Sequence, residues 1–213
     1  MSRPRATGHL AYRRRVTTRL PDPGERADIV LIASSAGGIR GLGTLLAGLR
    51  APFPVPVLVA QHLRSSRETQ IVSILARTST LHVKLADDGE TPEAGTAYVA
   101  PPDHHLCVEK DRELSLSGAG RINFARPAAD PLFESAARAY GSRVIACVLT
   151  GADGDGARGI ETVKAHGGTV IVQDPASAEF HSMPQAAVDT GKADAVLPLE
   201  EIAEELNRLL VPR

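Results

Sequence analysis

Asp28-Ile-Val-Leu-Ile-Ala-Ser-Ser-Ala-Gly-Gly38 contains a continuous apolar run that stops at two serines and then two glycines. A run of that length without alternation reads as a strand buried on both faces. The glycines permit a tight turn into a helix. Residues 39–49 then place Leu42, Leu45, Leu46 and Leu49 at helical spacing. Two other runs end in the same way. Residues 55–60 stop at Gln61-His62, and residues 144–149 stop at Thr150-Gly-Ala-Asp-Gly-Asp-Gly156. In an open parallel sheet, ligands bind outside the carboxyl ends of the strands. Ser34 or Ser35, His62, and Asp153 or Asp155 are therefore expected at one sheet edge. One Ser, one His and one Asp there would form a hydrolytic triad.

The rest of the chain alternates between strand and helix patterns. Strands are predicted over residues 82–85, 143–149, 169–173 and 194–197. Helices are predicted over 66–77, with Ile71, Ile74 and Leu75 inward, and over 130–140, capped by Asp130 with Pro131 at its first position. Further helices are predicted over 156–166, 184–190 and 199–210. This order predicts a three-layer α/β/α, doubly wound fold with a mainly parallel sheet. Residues 96–99, 106–109 and 113–116 are short strand-like pieces joined by turn residues, and they predict an inserted antiparallel hairpin or meander.

The 213 residues suit one large domain. Aromatics are 3% of the chain and Trp is absent, so the core must come from Val, Ile, Leu and Ala. A net charge of -1 supplies no global field to recruit nucleic acid. Cys107 and Cys147 lie in apolar surroundings and read as free buried thiols, not as a disulfide framework or metal site. No run is long enough to span a bilayer, so membrane insertion is not expected and a cytoplasmic location is. Residues 1–20 carry Arg3, Arg5, Arg13, Arg14, Arg15 and Arg19 with no acid and no apolar signal core. Residues 1–25 are read as a basic, disordered leader, and residues 26–213 as the folded domain.

Each motif has a plainer alternative. The 33–38 turn suits a catalytic serine with nearby N–H donors, an anion-binding loop, or an ordinary turn. It is not a G-x-S-x-G elbow, because Ala33 stands at the glycine expected two before Ser35 and Ala36 at the one expected two after Ser34. His62 at a strand end can be structural, or it can take a serine proton. His82, His104, His105 and His166 are weaker candidates, and His181 could line the site. Asp155 could cap a helix or orient His62 by accepting its Nδ1 proton. The D-x-D-G segment lacks the downstream Glu of a calcium loop.

Taken together, these segments resemble the catalytic domain of the chemotaxis-receptor methylesterase (CheB) family over roughly residues 28–210. The family's Gly-Ala-Ser-Thr-Gly-Gly turn falls on residues 33–38, its strand-end Gln-His on Gln61-His62, and its Leu-Thr-Gly-x-Gly-x-Asp-Gly on residues 149–156. Asp88-Gly89-Glu90, Ala97-Tyr-Val-Ala-Pro101, Arg126-Pro127 with Asp130 and Leu132-Phe133, and Gln173-Asp174 through Met183-Pro184 extend the likeness in the same order.

The resemblance implies Ser35 as nucleophile, His62 as base and Asp155 as the triad acid. Ala36, Ala152 and Met183 would supply oxyanion donors or line the site. It implies hydrolysis of γ-glutamyl methyl esters, and deamidation of glutamine, on the cytoplasmic domain of a chemoreceptor or on another methylated protein. No cofactor or metal is implied. Arg64, Arg67 and Arg126 would meet the acidic face of such a partner.

Three departures accompany it. Ala33 and Ala36 replace the family's Gly and Thr. Asp153 replaces a Gly, adding a negative charge near a developing oxyanion. The family also carries an N-terminal receiver domain, and the segment before Asp28 is too short for one. Activity without a phosphoryl donor is therefore expected. The rival reading is a non-catalytic phosphate- or nucleotide-binding module, disfavoured by the Ser, His, Asp order and by the lack of a clear phosphate-binding lysine.

Overall fold

The structure, a computed structural model, describes residues 27–63 and 69–211. The expected leader, residues 1–25, and Arg64 and Arg67 lie outside the described residues. Nine strands and six α-helices follow in order among the described residues: β1 (Ile29–Ser34), α1 (Gly38–Gly48), β2 (Val57–Gln61), α2 (Ile71–Leu75), β3 (His82–Leu85), β4 (Thr96–Val99), β5 (His105–Val108), β6 (Leu114–Ser117), α3 (Ala129–Tyr140), β7 (Val144–Val148), α4 (Ala157–Ala165), β8 (Thr169–Gln173), α5 (Ser182–Asp189), β9 (Ala195–Leu197) and α6 (Leu199–Leu210).

Seven strands form one parallel sheet in the order β3-β4-β2-β1-β7-β8-β9. β1 is fully buried, which explains why its sequence does not alternate. Ile29, Leu31 and Ala33 join one core layer with Leu132, Phe133 and Ala136 of α3 and Ile160 and Val163 of α4. Val30 and Ile32 join the other layer with Leu42, Leu45 and Leu46 of α1 and Ile202 and Leu206 of α6. Helices thus cover both faces, as expected of a doubly wound sheet. From β1 the chain runs outward through β2 to β3 and β4, then returns to β7 on β1's other side. That reversal makes the β1/β7 boundary the switch point, where loops diverge and leave a crevice. The β1–α1 turn and the 149–156 loop both emerge there.

The structure corrects several expectations. Thr96–Val99 is not part of a meander; it pairs in parallel between β2 and β3. Only β5 and β6 form the antiparallel hairpin, a separate two-stranded sheet packed on α3. Four residues are too few for a period to distinguish a hairpin strand from a parallel one. Helix α2 is confined to five residues among those described, and Ile74 is exposed, not inward. Asp130 does not cap its own helix: α3 begins one residue earlier and its N-cap is Ala128. Cys147 is buried, and burial pushes its thiol up to about 12. Cys107 is only half-buried. No helix among the described residues is long and apolar enough to cross a membrane.

Helices α3 and α4 approach closely at Gly159, where a Cβ would lie 2.6 Å from Phe133 Cβ. A core with no free volume must shift to admit it. Gly159→Ala is expected to lower stability by about 1–3 kcal/mol despite alanine's better helix propensity. A urea titration should show a lower midpoint at unchanged slope.

Candidate active site

Ser34 and Ser35 leave β1 in opposite directions, as neighbours at a strand end do. Ser34 is buried, and its hydroxyl donates to Gln61 Oε1 at 2.7 Å. Ser35 is half-buried at the crevice, with Oγ 3.0 Å from His62 Nδ1. Gln61 ties the two strand ends together. Its Nε2 donates to the carbonyls of Ser35 at 2.8 Å and His62 at 3.1 Å. Gly37 turns the chain into α1 with φ 73, a conformation that glycine adopts without strain. Gly38 lets α1 pack on this junction: a Cβ there would lie 2.8 Å from Ser34 Cβ.

His62 spans the crevice. Its Nε2 lies 2.7 Å from Asp155 Oδ2. The sequence reading had Asp155 accept the Nδ1 proton; the structure reverses the nitrogens, with Nδ1 toward Ser35 and Nε2 toward Asp155. Asp155 is completely buried, yet its oxygens are well supplied with donors. Oδ2 also accepts from Ala129 N at 2.5 Å, and Oδ1 accepts from Asp130 N at 3.2 Å and Gly156 N at 3.0 Å. Asp130 answers in the other direction, its Oδ1 accepting from Gly156 N at 3.0 Å and Gly159 N at 2.8 Å. Asp155 therefore serves the N–H groups that open α3, where Asp130 sits, and Asp130 serves those that open α4, just after Asp155. These orphan helix-terminal N–H groups, with the dipoles behind them, let two carboxylates sit in the interior. Burial pushes the Asp130 carboxyl up, against the pull of the Gly159 N–H, and the Asp155 charge adds to the rise.

A second carboxylate reaches the imidazole. Asp153 Oδ2 lies 3.1 Å from His62 Nδ1, the nitrogen that also meets Ser35. Burial works to lower the His62 pKa, but the hydrogen bonds and charges of Asp153 and Asp155 outweigh it. The net result is a rise to about 9. For Asp153, burial pushes the carboxyl up, and the His62 contact more than reverses this, leaving it below the usual carboxylate range.

Of the other residues singled out, Ser35 N donates to Thr150 O at 3.0 Å and is not a free oxyanion donor. Among the described residues, the N–H groups of Ala36 and Ala152 donate to nothing. Met183 is buried against Gly151, where a Cβ would lie 2.8 Å from Met183 Cβ and 3.0 Å from Ser35 Cβ, so glycine is what lets this loop fit between the two. His181 is exposed at the start of α5. His105 is structural: Nδ1 accepts from Ala128 N and Nε2 donates to Gly120 O, both at 3.1 Å. Arg126 donates to Gly118 O, Ala119 O and Asp103, which ties its loop to the turn after β4.

Sequence reasoning missed four contributors. Gln61 carries no role in the sequence pattern, yet it joins the ends of β1 and β2. Gln173 Oε1 accepts from Thr150 N at 2.9 Å, and the Thr150 hydroxyl lies 3.1 Å from Ala36 O, which together pin the two loops. Glu179 packs over Gly37 and pairs with Arg40 at the rim. A polar residue ending an otherwise apolar strand was the available signal for both glutamines. Among the described residues no His, Cys, Asp and Glu group has the arrangement of a metal site.

A hydroxyl, an imidazole and a buried carboxylate in line at a switch point define a hydrolytic α/β enzyme domain. Residues 30–206 match the family model for CheB methylesterase, and the chain belongs to that family. It is 40% identical over 182 residues to a Leptospira interrogans relative, covering 85% of this chain and 94% of that protein. It is 42% identical over 193 residues to protein-glutamate methylesterase/protein-glutamine glutaminase 1 of Paramagnetospirillum magneticum, covering 89% of this chain and 51% of that protein. The crystal structure of the Thermotoga maritima CheB methylesterase catalytic domain superimposes with a TM-score of 0.82 at 38% identity, covering 86% of this chain and 99% of that one.

Proposed function

We propose that the chain is a serine carboxylesterase that hydrolyses glutamate γ-methyl esters on chemoreceptor proteins, with Ser35 as nucleophile, His62 as general base and acid, and Asp155 holding the imidazole. One observation carries this reading: His62 bridges Ser35 Oγ at 3.0 Å and Asp155 Oδ2 at 2.7 Å through its two nitrogens. With Asp155 accepting the Nε2 proton, neutral His62 keeps its Nδ1 lone pair for the serine proton.

Ser35 Oγ bonds to the ester carbonyl carbon as its proton passes to Nδ1. The Ala36 and Ala152 N–H groups are assigned to the oxyanion. Collapse breaks the bond to methoxide, which leaves with the Nδ1 proton as methanol. Water then gives a proton to Nδ1, attacks the acyl-serine, and collapse returns the proton to Ser35 as glutamate departs. The same cycle on a glutamine side chain releases ammonia, and the Paramagnetospirillum relative's name pairs both activities. Chemoreceptor cytoplasmic domains are the substrate that the CheB likeness implies. A phosphate-binding module fits less well, because Glu179 over Gly37 and Asp153 beside His62 put negative charge where a phosphate would sit.

The test is methanol release from a methylated receptor fragment, with and without a fluorophosphonate probe. Labelling of Ser35 with loss of methanol release is expected. Neither labelling nor release above background would overturn the reading.

A pH dependence follows. His62 must be neutral to accept the proton, and its raised pKa keeps it protonated to about 9. Log kcat/KM should therefore rise with unit slope as pH climbs toward about 9 and level off beyond it. An acid limb centred at the ordinary imidazole value would contradict the two-carboxylate environment of His62.

A further inference from the structure

Nδ1 of His62 has two suitors on opposite terms. Ser35 Oγ at 3.0 Å needs Nδ1 as an acceptor, to which its hydroxyl donates. Asp153 Oδ2 at 3.1 Å needs Nδ1 as a donor, because a carboxylate only accepts. A neutral ring already donating from Nε2 to Asp155 would turn a lone pair toward the Asp153 charge. A protonated ring satisfies both carboxylates at once. We propose that Asp153 is a positioning residue that holds His62 as an imidazolium in the free enzyme, opposing the proton transfer from Ser35 and setting the pH range of the reaction. The proposal rests on the esterase reading above.

The other groups around His62 do not duplicate this effect. From the 149–156 loop come only Asp153 and Asp155. From α3 comes Asp130, held on the Gly156 and Gly159 N–H groups and lying 3.7 Å from Arg158 Nε of α4. From the α1 turn comes Ser35, and from the segment before α5 comes Glu179, engaged by Arg40. Asp155 faces Nε2, where a carboxylate favours the productive tautomer. Among the described residues, Asp153 alone puts a charge on the nitrogen that must be empty. It also holds its own loop, since Oδ1 accepts from Asp155 N at 3.0 Å. Its side chain is 30% exposed, so it can turn outward without burying a charge elsewhere. With His62 titrating near 9, about one molecule in a hundred carries the neutral ring at pH 7. Substrate that displaces the Asp153 carboxylate would release the serine–histidine pair at the moment of binding.

Two variants separate these contributions. Asp153→Asn keeps an oxygen for Asp155 N and removes the charge; Asp153→Gly removes both. The His62 ring is titrated by NMR in the full chain, its resonance assigned as the one missing from His62→Gln. The pH profile of kcat/KM is measured alongside. The expected result is a downward shift of the His62 midpoint by about one unit or more in both variants. The acid limb should move by the same amount, and the rate at pH 7 should rise at least about tenfold. An unmoved His62 midpoint would overturn the proposal. So would a rate lowered equally at every pH, which is the mark of a merely structural residue. If the midpoint falls but no variant releases methanol, Asp153's hold on His62 stands and the esterase reading fails.

Discussion

Ser35→Ala is expected to reduce ester hydrolysis by about 10⁴-fold or more, leaving only what substrate binding and the oxyanion donors provide. The fold should survive, because Ser35 Oγ meets His62 at the crevice and lies only half-buried. Ser34→Ala should behave differently. It removes a buried donor from Gln61 Oε1, at a cost of about 1–3 kcal/mol in stability. Gln61 still holds the Ser35 and His62 carbonyls through Nε2, so the rate should fall by less than about tenfold. Methanol release by both variants, measured well below their unfolding temperatures, decides between the serines. Equal losses from both would remove the distinction on which the nucleophile assignment rests.

That distinction shows what the sequence exposes and what it hides. The apolar runs reveal three strands ending at chemistry-bearing residues, because strands buried on both faces cannot alternate. The helices between them make those strands parallel, but their order across the sheet is read only from the structure. The direction of each terminal side chain does not. Ser34 and Ser35 look alike in sequence, and only the family likeness favours the second. Asp153 reads as a surplus charge near the site, but nothing in the spacing shows it reaching the same imidazole nitrogen as the serine. The crossed caps of Asp130 and Asp155 are equally hidden. Each residue sits beside a helix start and invites the reading that it caps that helix. The real partner lies across the α3–α4 contact, a tertiary relation that local capping rules do not carry. Thr96–Val99 was misplaced for a related reason: pairing partners 40 residues away, such as Leu58 for Tyr98, leave no mark on a four-residue strand.

Asp155→Asn is expected to produce the second large effect, and its contrast with Asp153→Asn is the sharper test of the site. Both variants remove one negative charge within hydrogen-bonding distance of His62. At Asp155 the loss falls on the productive side. An amide group placed toward Nε2 offers a donor where an acceptor is needed, drives the neutral ring to the tautomer with a proton on Nδ1, and leaves the serine without a base. A fall in kcat of about 10³–10⁴-fold follows. The substitution also strikes the fold. Asp155 Oδ2 serves His62 and Ala129 N, and Oδ1 serves Asp130 N and Gly156 N. Whichever oxygen becomes NH2, two donors in the buried junction between α3 and α4 face a third. Each unpaired buried donor costs about 1–3 kcal/mol, so stability should drop by roughly 2–5 kcal/mol. Thermal unfolding and methanol release separate the two losses when activity is read on protein still folded by circular dichroism. At pH 7 the Asp153 variant should be faster than the parent and the Asp155 variant far slower. Equal slowing of both would mean that His62 does not distinguish its two nitrogens, and the assignment of Nδ1 to the serine would fall with it.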